Sequence, residues 1–577
     1  MNCMFQHRCQ VASAAVLISA FVISPPTALG QQSIAVQVDV DADEKIGRLQ
    51  PIWRFFGADE PNYATMKDGQ QLLRDLGELR PKQVYFRAHN LLTSGDGTPA
   101  LKWGSTDVYS EDQDGNPRYN WKTVDRIFDS YLERGVRPYA QIGFMPKALS
   151  THPEPYRHHW RPGMPYHEVF TGWSYPPKDY EKWNELVYQW VKHCVDRYGR
   201  EEVETWYWQT WNEANIGSAD RPGYFTGTVE EFHKLHDYAI AGVRRALPTA
   251  RVGGPDSAGS GGRWTRDFLE HCLRGTNHAT GESGTPLNFV SFHAKGAPRF
   301  IDGHIQMGIA NQLRTIDDGF KIVAAFPELK STPIVIGESD PEGCAACQGP
   351  MFSYRNGTVY SSYTAASFAR KHDLAARHGV NLEGALSWSF TFEDQAYFAG
   401  FRQMSSNGLA LPVLNVMRMF SRMGETRIKA SSDRAIPLDN ILRDGVRRSP
   451  DVGAIASLDE TEKQLCVMIW HYHDDDVSGP DADVTLTITG LPAGAAESKL
   501  DHFRVDHSHS NSYTRWLTMG SPVAPNRLEY QQLKEASKLA SINPQKTSIA
   551  VRQGKSELRF TLPRQGVSLV VLDWSQE

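Results

Sequence analysis

Residues 206–215 read WYWQTWNEAN. Aromatic residues favour strands, so the run begins as a strand, yet it leads straight into an Asn-Glu pair. Pointed into a packed interior, Glu213 would be costly without a partner. At the open end of a strand it is available for chemistry. The surrounding sequence decides between these.

From about residue 46 to 410 short strand-like runs alternate with amphipathic helical stretches. The runs are IWRFFGAD, QVYFRAHN, RPYAQIGFMP, VETWYWQTWNE, ARVGGPDSA, NFVSFHAKG, PIVIGESD and GALSWSFTFED. Their middles are nearly continuously apolar, as strands covered on both faces require. Between them, Val124, Ile127, Phe128, Tyr131 and Leu132 share one helical face. A second helix opens with Thr228 and Glu231 in capping-box spacing and aligns Phe232, Leu235, Ala239 and Val243. Eight such repeats predict a closed (β/α)8 TIM barrel of the α/β class. An open doubly wound sheet is the alternative, but no Gly-rich phosphate loop follows the first strand. The active site of a barrel lies at the C-terminal ends of its strands. There the polar residues gather: Asp59, Glu60, Arg87, His89, Asn212, Glu213, Asp256, His293, Lys295, Glu338, Glu393 and Asp394.

The barrel is assigned to residues 46–424. Beyond it, over 425–577, alternating runs such as QLCVMIWHYH and DVTLTITG predict an accessory antiparallel β-sandwich, to which SIAVQVDVDA, within 31–45, is expected to add a strand. Residues 1–30 have the form of a secretory signal, with basic residues, a short apolar stretch, and Ala28 and Gly30 placed for cleavage before Gln31. The mature protein is therefore expected to be secreted or periplasmic. No segment is long and apolar enough for a membrane span. The formal net charge of −6 over 577 residues is mild and no basic block is present, which argues against nucleic acid as a partner. The chain has 7 Cys; without Cys3 and Cys9 an odd number remains, which argues against a disulfide framework. Cys344 and Cys347 could form a local disulfide; a zinc site would need a second pair. The long loop 150–180, rich in Pro, His and aromatics, could wall a cleft.

Glu213 and Glu338 end strands four and seven, which are not neighbours, so the two carboxyls can face each other across the barrel mouth. A sugar ring fits between such groups: one carboxyl protonates the leaving oxygen while the other attacks the anomeric carbon. Asn212 could bind the adjacent hydroxyl. Two salt-bridged surface glutamates are the plainer alternative, but the paired placement disfavours it. A double displacement predicts carboxyls about 5–5.5 Å apart.

WNEAN and GESD resemble the retaining barrel glycosidases with catalytic Glu on strands four and seven. More narrowly, the ordered set FFGADEPN, VYFRAHN, WNEANIG, SFHAKG and GALSWSFTFED resembles glycoside hydrolase family 39, which holds β-xylosidases and α-L-iduronidases. The resemblance implies an O-glycosidase with Glu213 as acid/base and Glu338 as nucleophile. It further implies that Asn212, His89 and His293 hold the sugar, that Trp388 is an aromatic platform, and that Glu393 binds a hydroxyl. It implies no metal and no cofactor. The sequence departs from the xylosidase pattern at Ser339-Asp340, closer to the iduronidase version. It departs again at Lys295, where xylosidases place Tyr and where a lysine could meet a uronate or an enzyme acid, and in a shortened segment between Trp388 and Glu393.

The leading expectation is an exo-acting β-xylosidase-like enzyme working on an oligosaccharide or polysaccharide. The same chemistry on a uronic acid or an arabinose-containing glycan comes second. An inactive carbohydrate-binding protein, the reading from another class, would have lost a catalytic Glu; both are present.

Overall fold

The computed structural model describes residues 33–98, 103–160, 164–389, 393–492, 495, 497–542, 544–545 and 548–575. The secretory-signal expectation for residues 1–30 lies outside them. Among the described residues no helix is long and apolar enough to cross a membrane.

Eight parallel strands close the barrel. They are Phe55–Ala58, Val84–Ala88, Val136–Ile142, Tyr207–Thr210, Arg251–Ser257, Phe289–His293, Ile334–Glu338, and an eighth broken into Leu382–Ala385 and Ser387–Trp388. The break permits closure: Leu382–Ala385 pairs with strand seven, and Ser387 and Trp388 pair with Phe56 and Gly57 of strand one. Thr228 and Glu231 form the capping box on helix Val229–Ala246.

Side chains alternate across a strand with period two, and the barrel uses this to build layers. The lowest inward layer is aromatic. Phe55 stacks on Tyr85 at 5.2 Å, Tyr85 meets Tyr207 edge-on at 4.8 Å, and Tyr139 and Phe289 complete the plug. Two residues along, the same strands supply polar groups: Arg87, Gln141, Gln209 and Ser291, all 0% exposed. The outward residues of strand four serve the other layer. Trp208 packs edge-on against Trp190 of helix Tyr180–Tyr198, and Trp206 against Phe128 of helix Lys122–Leu132. WYWQ thus divides into two tryptophans for the helices and a Tyr and Gln for the barrel interior.

The second unit is the accessory, mainly antiparallel β-structure expected from the sequence, built as one hydrogen-bonded sheet that curls on itself. Its main path runs 540–541, 497–505, 567–573, 464–472, 451–459, 426–432, 34–48, 482–489, 556–562. One pair within it is parallel, Ile34–Asp41 with Ala482–Thr489. The short alternating runs cannot reveal which strand continues the ladder, and the parallel pair joins segments more than four hundred residues apart.

The two units share a buried ion pair. Arg370, on the barrel helix Thr358–His378, donates to Asp451 Oδ1 at 3.1 Å and to the Ile436 carbonyl at 3.1 Å. Asp451 is 0% exposed and also accepts from Trp470 Nε1 at 2.8 Å. Removing the guanidinium leaves a buried carboxylate short of its counter-charge. Arg370→Ala is therefore expected to lose about 3–5 kcal/mol in urea unfolding; a loss below about 1 kcal/mol, the level of a surface pair, would show that this pair does not join the units.

Candidate active site

Strand four ends in strain. Trp211 and Glu213 hold φ values of 65° and 46°, and Asp256 at the end of strand five holds 54°. Non-glycine residues in this region cost on the order of 1–3 kcal/mol each and gather at functional sites. The backbone reversal is fixed by two bonds: Trp211 N–H donates to the Ile142 carbonyl at 3.0 Å, and Glu213 N–H to the Asp256 carbonyl at 2.9 Å. Trp211 is buried beneath Phe144 and Phe225, while the Glu213 side chain is 16% exposed. The aromatic strand anchors; the Glu after it faces the mouth.

Five strands converge on the two carboxylates. His293, ending strand six, donates from Nδ1 to Glu213 Oε1 at 2.8 Å; its Nδ1 is 3.8 Å from Glu338 Oε1 and its Nε2 3.2 Å from Asp256 Oδ2. One oxygen of Glu213, one of Glu338 and a nitrogen of His293 all lie within 4.8 Å of one another. Lys295 Nζ sits 2.7 Å from Glu338 Oε2 and 2.8 Å from Asp340 Oδ2. Arg87, rising from strand two, pairs with Asp256, reaches Glu338 Oε1 at 3.4 Å and donates to Asn212 Oδ1 at 2.8 Å and Gln209 Oε1 at 3.1 Å. His89 lies 3.6 Å from Glu338 Oε1, with its Nδ1 3.0 Å from Asp59 Oδ1.

These contacts set the charges. Burial alone would push Glu338 up, but Lys295 and then His293 outweigh it and hold its carboxyl well below the usual range. Burial also works against charge on His293, yet Glu338 and then Asp256 raise it to about 9. That shift favours the imidazolium form at neutral pH. Burial, with Arg87 adding to it, keeps His89 below its ordinary value, so His89 is the neutral imidazole of the pair. Glu213, His293 and Glu338 have the donor types of a metal site, but Lys295 and Arg87 already supply the positive charge that a divalent ion would bring there.

Of the expected site residues, Glu213, Glu338, Asn212, His89, His293 and Lys295 come together. Lys295 contacts Glu338 and Asp340, the enzyme acids that the sequence reading set beside a sugar uronate as its partner. Trp388 is 2% exposed, its ring 5.0 Å from His89, and its backbone N–H donates to Asp340 Oδ1 at 2.9 Å; it backs the site. Glu393 turns elsewhere. Its carboxylate accepts from Asp68 N–H at 2.5 Å, in the first turn of helix Lys67–Gly77, because first-turn amides lack partners within the helix and attract negative charge. Residues 390–392, just before it, lie outside the described residues.

Arg87 and Asp256 stand among the strand-end charges in the sequence, and Asp340 among the departures from the xylosidase pattern, but none of the three is singled out there for the site. Alternation from Tyr85 was the available signal for Arg87. Cys344 and Cys347 are joined by a disulfide. Arg355 secures that loop, donating to the carbonyls of Cys344 and Cys347 at 2.6 and 2.5 Å and to Glu342 at 2.8 Å. The long loop packs Trp173 against Phe144, which meets Trp211; it thus supports the end of strand four.

Residues 36–553 match the model of glycosyl hydrolases family 39. The chain is 26% identical over 512 residues to a β-xylosidase of Geobacillus stearothermophilus, covering 85% of this chain and 86% of the relative. It is 25% identical over 544 residues to the α-L-iduronidase of Mus musculus, with coverages of 89% and 77%. Among solved structures, a monomeric β-xylosidase from Caulobacter crescentus CB15 aligns with a TM-score of 0.70 at 21% identity, covering 93% of this chain and 99% of that one. A bacterial orthologue of human α-L-iduronidase aligns with a TM-score of 0.71 at 19% identity, covering 94% and 84%. At such identities these two likenesses speak to the fold alone.

The His293 charge has a consequence for stability. Its folded pKa is raised from 6.5 to about 9, so the stability it contributes is complete below pH 6.5 and is lost as pH rises through about 9. The loss across that window is on the order of 3 kcal/mol. Urea unfolding of the wild type between pH 6 and 10 is expected to show it, and His293→Asn to lack most of it. Equal slopes in both proteins would mean that His293 is not cationic.

Proposed function

Because the chain belongs to glycosyl hydrolases family 39 and is therefore a glycosidase acting on O-glycosyl bonds, we propose that it is an exported, exo-acting, retaining β-xylosidase-like enzyme with Glu338 as nucleophile and Glu213 as acid/base. The observation that carries the assignment is the asymmetry around the two carboxylates. Glu338 is 9% exposed and flanked by Lys295, His293 and Arg87, as a group that must be ionised before attack requires. Glu213 has one close partner in the cluster, His293 Nδ1, and that partner can give it a proton. An oxygen-to-oxygen spacing within 4.8 Å suits direct attack; inversion needs roughly 6.5–9.5 Å between carboxyls to admit a water.

The cluster then moves its proton in step with the chemistry. As Glu338 attacks the anomeric carbon the glycosidic C–O bond breaks, and the negative charge of the carboxylate is lost into the forming ester. That charge is the leading support of the His293 imidazolium, so His293 becomes more acidic and passes its Nδ1 proton to Glu213. Glu213 protonates the departing oxygen. In the second half Glu213 takes a proton from water, the hydroxide displaces Glu338, and the returning carboxylate draws the proton back onto His293. Asn212, held by Arg87, presents its amide to the hydroxyl beside the reacting carbon. Asp340 and Glu338 occupy Lys295, which removes the feature that most favoured a uronate; a neutral pentoside is the substrate that the site supports best. Export rests on the sequence pattern of residues 1–30.

Hydrolysis of an aryl-glycoside panel tests the sugar, with the β-xyloside expected to lead. Lys295→Ala is expected to slow xyloside and iduronide hydrolysis alike; a loss confined to the iduronide would restore the uronate reading. Glu213→Ala is expected to lose about 10²–10⁴-fold on poor leaving groups and to be rescued by azide with the substrate's configuration kept. Glu338→Ala is expected to be nearly inactive on every substrate and to give the opposite configuration with azide. The reverse stereochemical pattern would exchange the two roles.

A further inference from the structure

A cationic groove lies in the accessory unit, where the connection between strands Thr426–Ser432 and Asp451–Asp459 passes the start of strand Ile34–Arg48. It encloses about 720 Å³, and Arg434, Arg443, Arg447 and Arg448 line it together with Asp433 and Asp444. Ligand sites commonly span roughly 300–1,000 Å³. All four arginines are exposed.

The two acids are already engaged. Asp433 Oδ1 accepts from the Gln37 N–H at 2.9 Å, and Asp444 Oδ2 pairs with Arg443 at 3.0 Å. Arg447 Nε comes only to 3.9 Å from Asp474 Oδ2. The Asp474 carboxylate already accepts from the Tyr472 hydroxyl at 2.7 Å and the Val446 N–H at 2.9 Å. Arg434 and Arg448 form no salt bridge among the described residues. Positive charge is thus in excess here, in a chain whose formal net charge is −6. Like charges gathered in one place repel until an opposite charge is supplied. The Arg434 fork is also held in place, because its Nε donates to the Ala35 carbonyl at 3.2 Å.

The lining indicates the ligand. No aromatic side chain lines the groove among the described residues, so a neutral sugar ring has no flat face to stack on. Guanidinium forks instead match planar carboxylates with paired hydrogen bonds. In the barrel, Glu338 and Asp340 hold Lys295 and the site suits a neutral pentoside, so acidic groups on the same polymer would be read elsewhere. The Arg447 end of the groove adjoins the barrel connection after strand six, where the Met307 N–H donates to the Asp474 carbonyl at 2.6 Å.

We propose that this groove is an ancillary binding site for a polysaccharide bearing carboxylate groups, with Arg434 and Arg448 as its main contacts. On the xylosidase reading, on which this inference rests, the polymer is a xylan carrying uronate side groups. The groove holds its acidic units while neutral pentose is cleaved in the barrel. Two sites on one polymer raise the effective concentration of chain ends at the catalytic mouth.

The test is native electrophoresis of the full chain through gels containing uronate-bearing xylan, unsubstituted xylan or dextran sulfate, alongside hydrolysis of an aryl β-xyloside. The uronate-bearing xylan is expected to retard the wild type more than the unsubstituted one does, and high salt to abolish the difference. The double variant Arg434→Ser, Arg448→Ser should bind the acidic xylan about tenfold more weakly. It should hydrolyse the aryl xyloside at the wild-type rate, which also reports that it folds. Equal retardation by the two xylans, an unchanged double variant, or retardation by dextran sulfate alone would overturn the proposal. Arginine-dependent retardation in a protein that cleaves a different aryl glycoside would support the groove and refute the xylosidase reading, so the two fail separately.

Discussion

The carboxylate of Glu338 is nearly cut off from water, and the rest of the site follows from keeping it charged. A lone buried carboxylate would take up a proton. Lys295, His293 and Arg87 prevent this, and each then needs an acid of its own. Asp340 answers Lys295, while Asp256 answers both Arg87 and His293. The requirement spreads from one atom pair to strands two, five, six and seven of the barrel and the loops after them. Buried ion networks of this kind are weak evidence for stability, because desolvation offsets the Coulombic gain. Here the network fixes which group is ionised and which way the others point.

Strain enters for the same reason. Trp211, Glu213 and Asp256 hold left-handed backbone at the ends of adjacent strands, and the aromatic plug below them and the packed indole of Trp211 resist relaxation. An inward-facing polar layer inside a barrel is tolerable only when its members satisfy one another. Arg87 does so with Gln141, Gln209, Asn212 and Asp256 at once.

Much of this was legible in the sequence, because a strand alternates and its end is marked. WYWQTWNEAN shows both, and the same grammar located Glu338 and His293. Contacts between distant segments were not legible. Lys295 and Asp340 are 45 residues apart, and nothing local told a sugar-facing lysine from one held by two carboxylates. Glu393 looked like a site residue because it follows strand eight, but a loop's direction is not encoded in its length, and a helix N-terminus captured it. Arg87 and Asp256 were visible as charges, but their partnership depends on barrel closure.

The central claim is that the charge of Glu338 governs the proton on His293. The most direct test is 15N NMR of histidine-labelled enzyme, free and after trapping with an activated 2-fluoro glycoside that esterifies Glu338. In free enzyme at pH 7.5 the His293 ring is predicted to be cationic, and in the trapped ester neutral. A ring with the same protonation in both states would contradict the account.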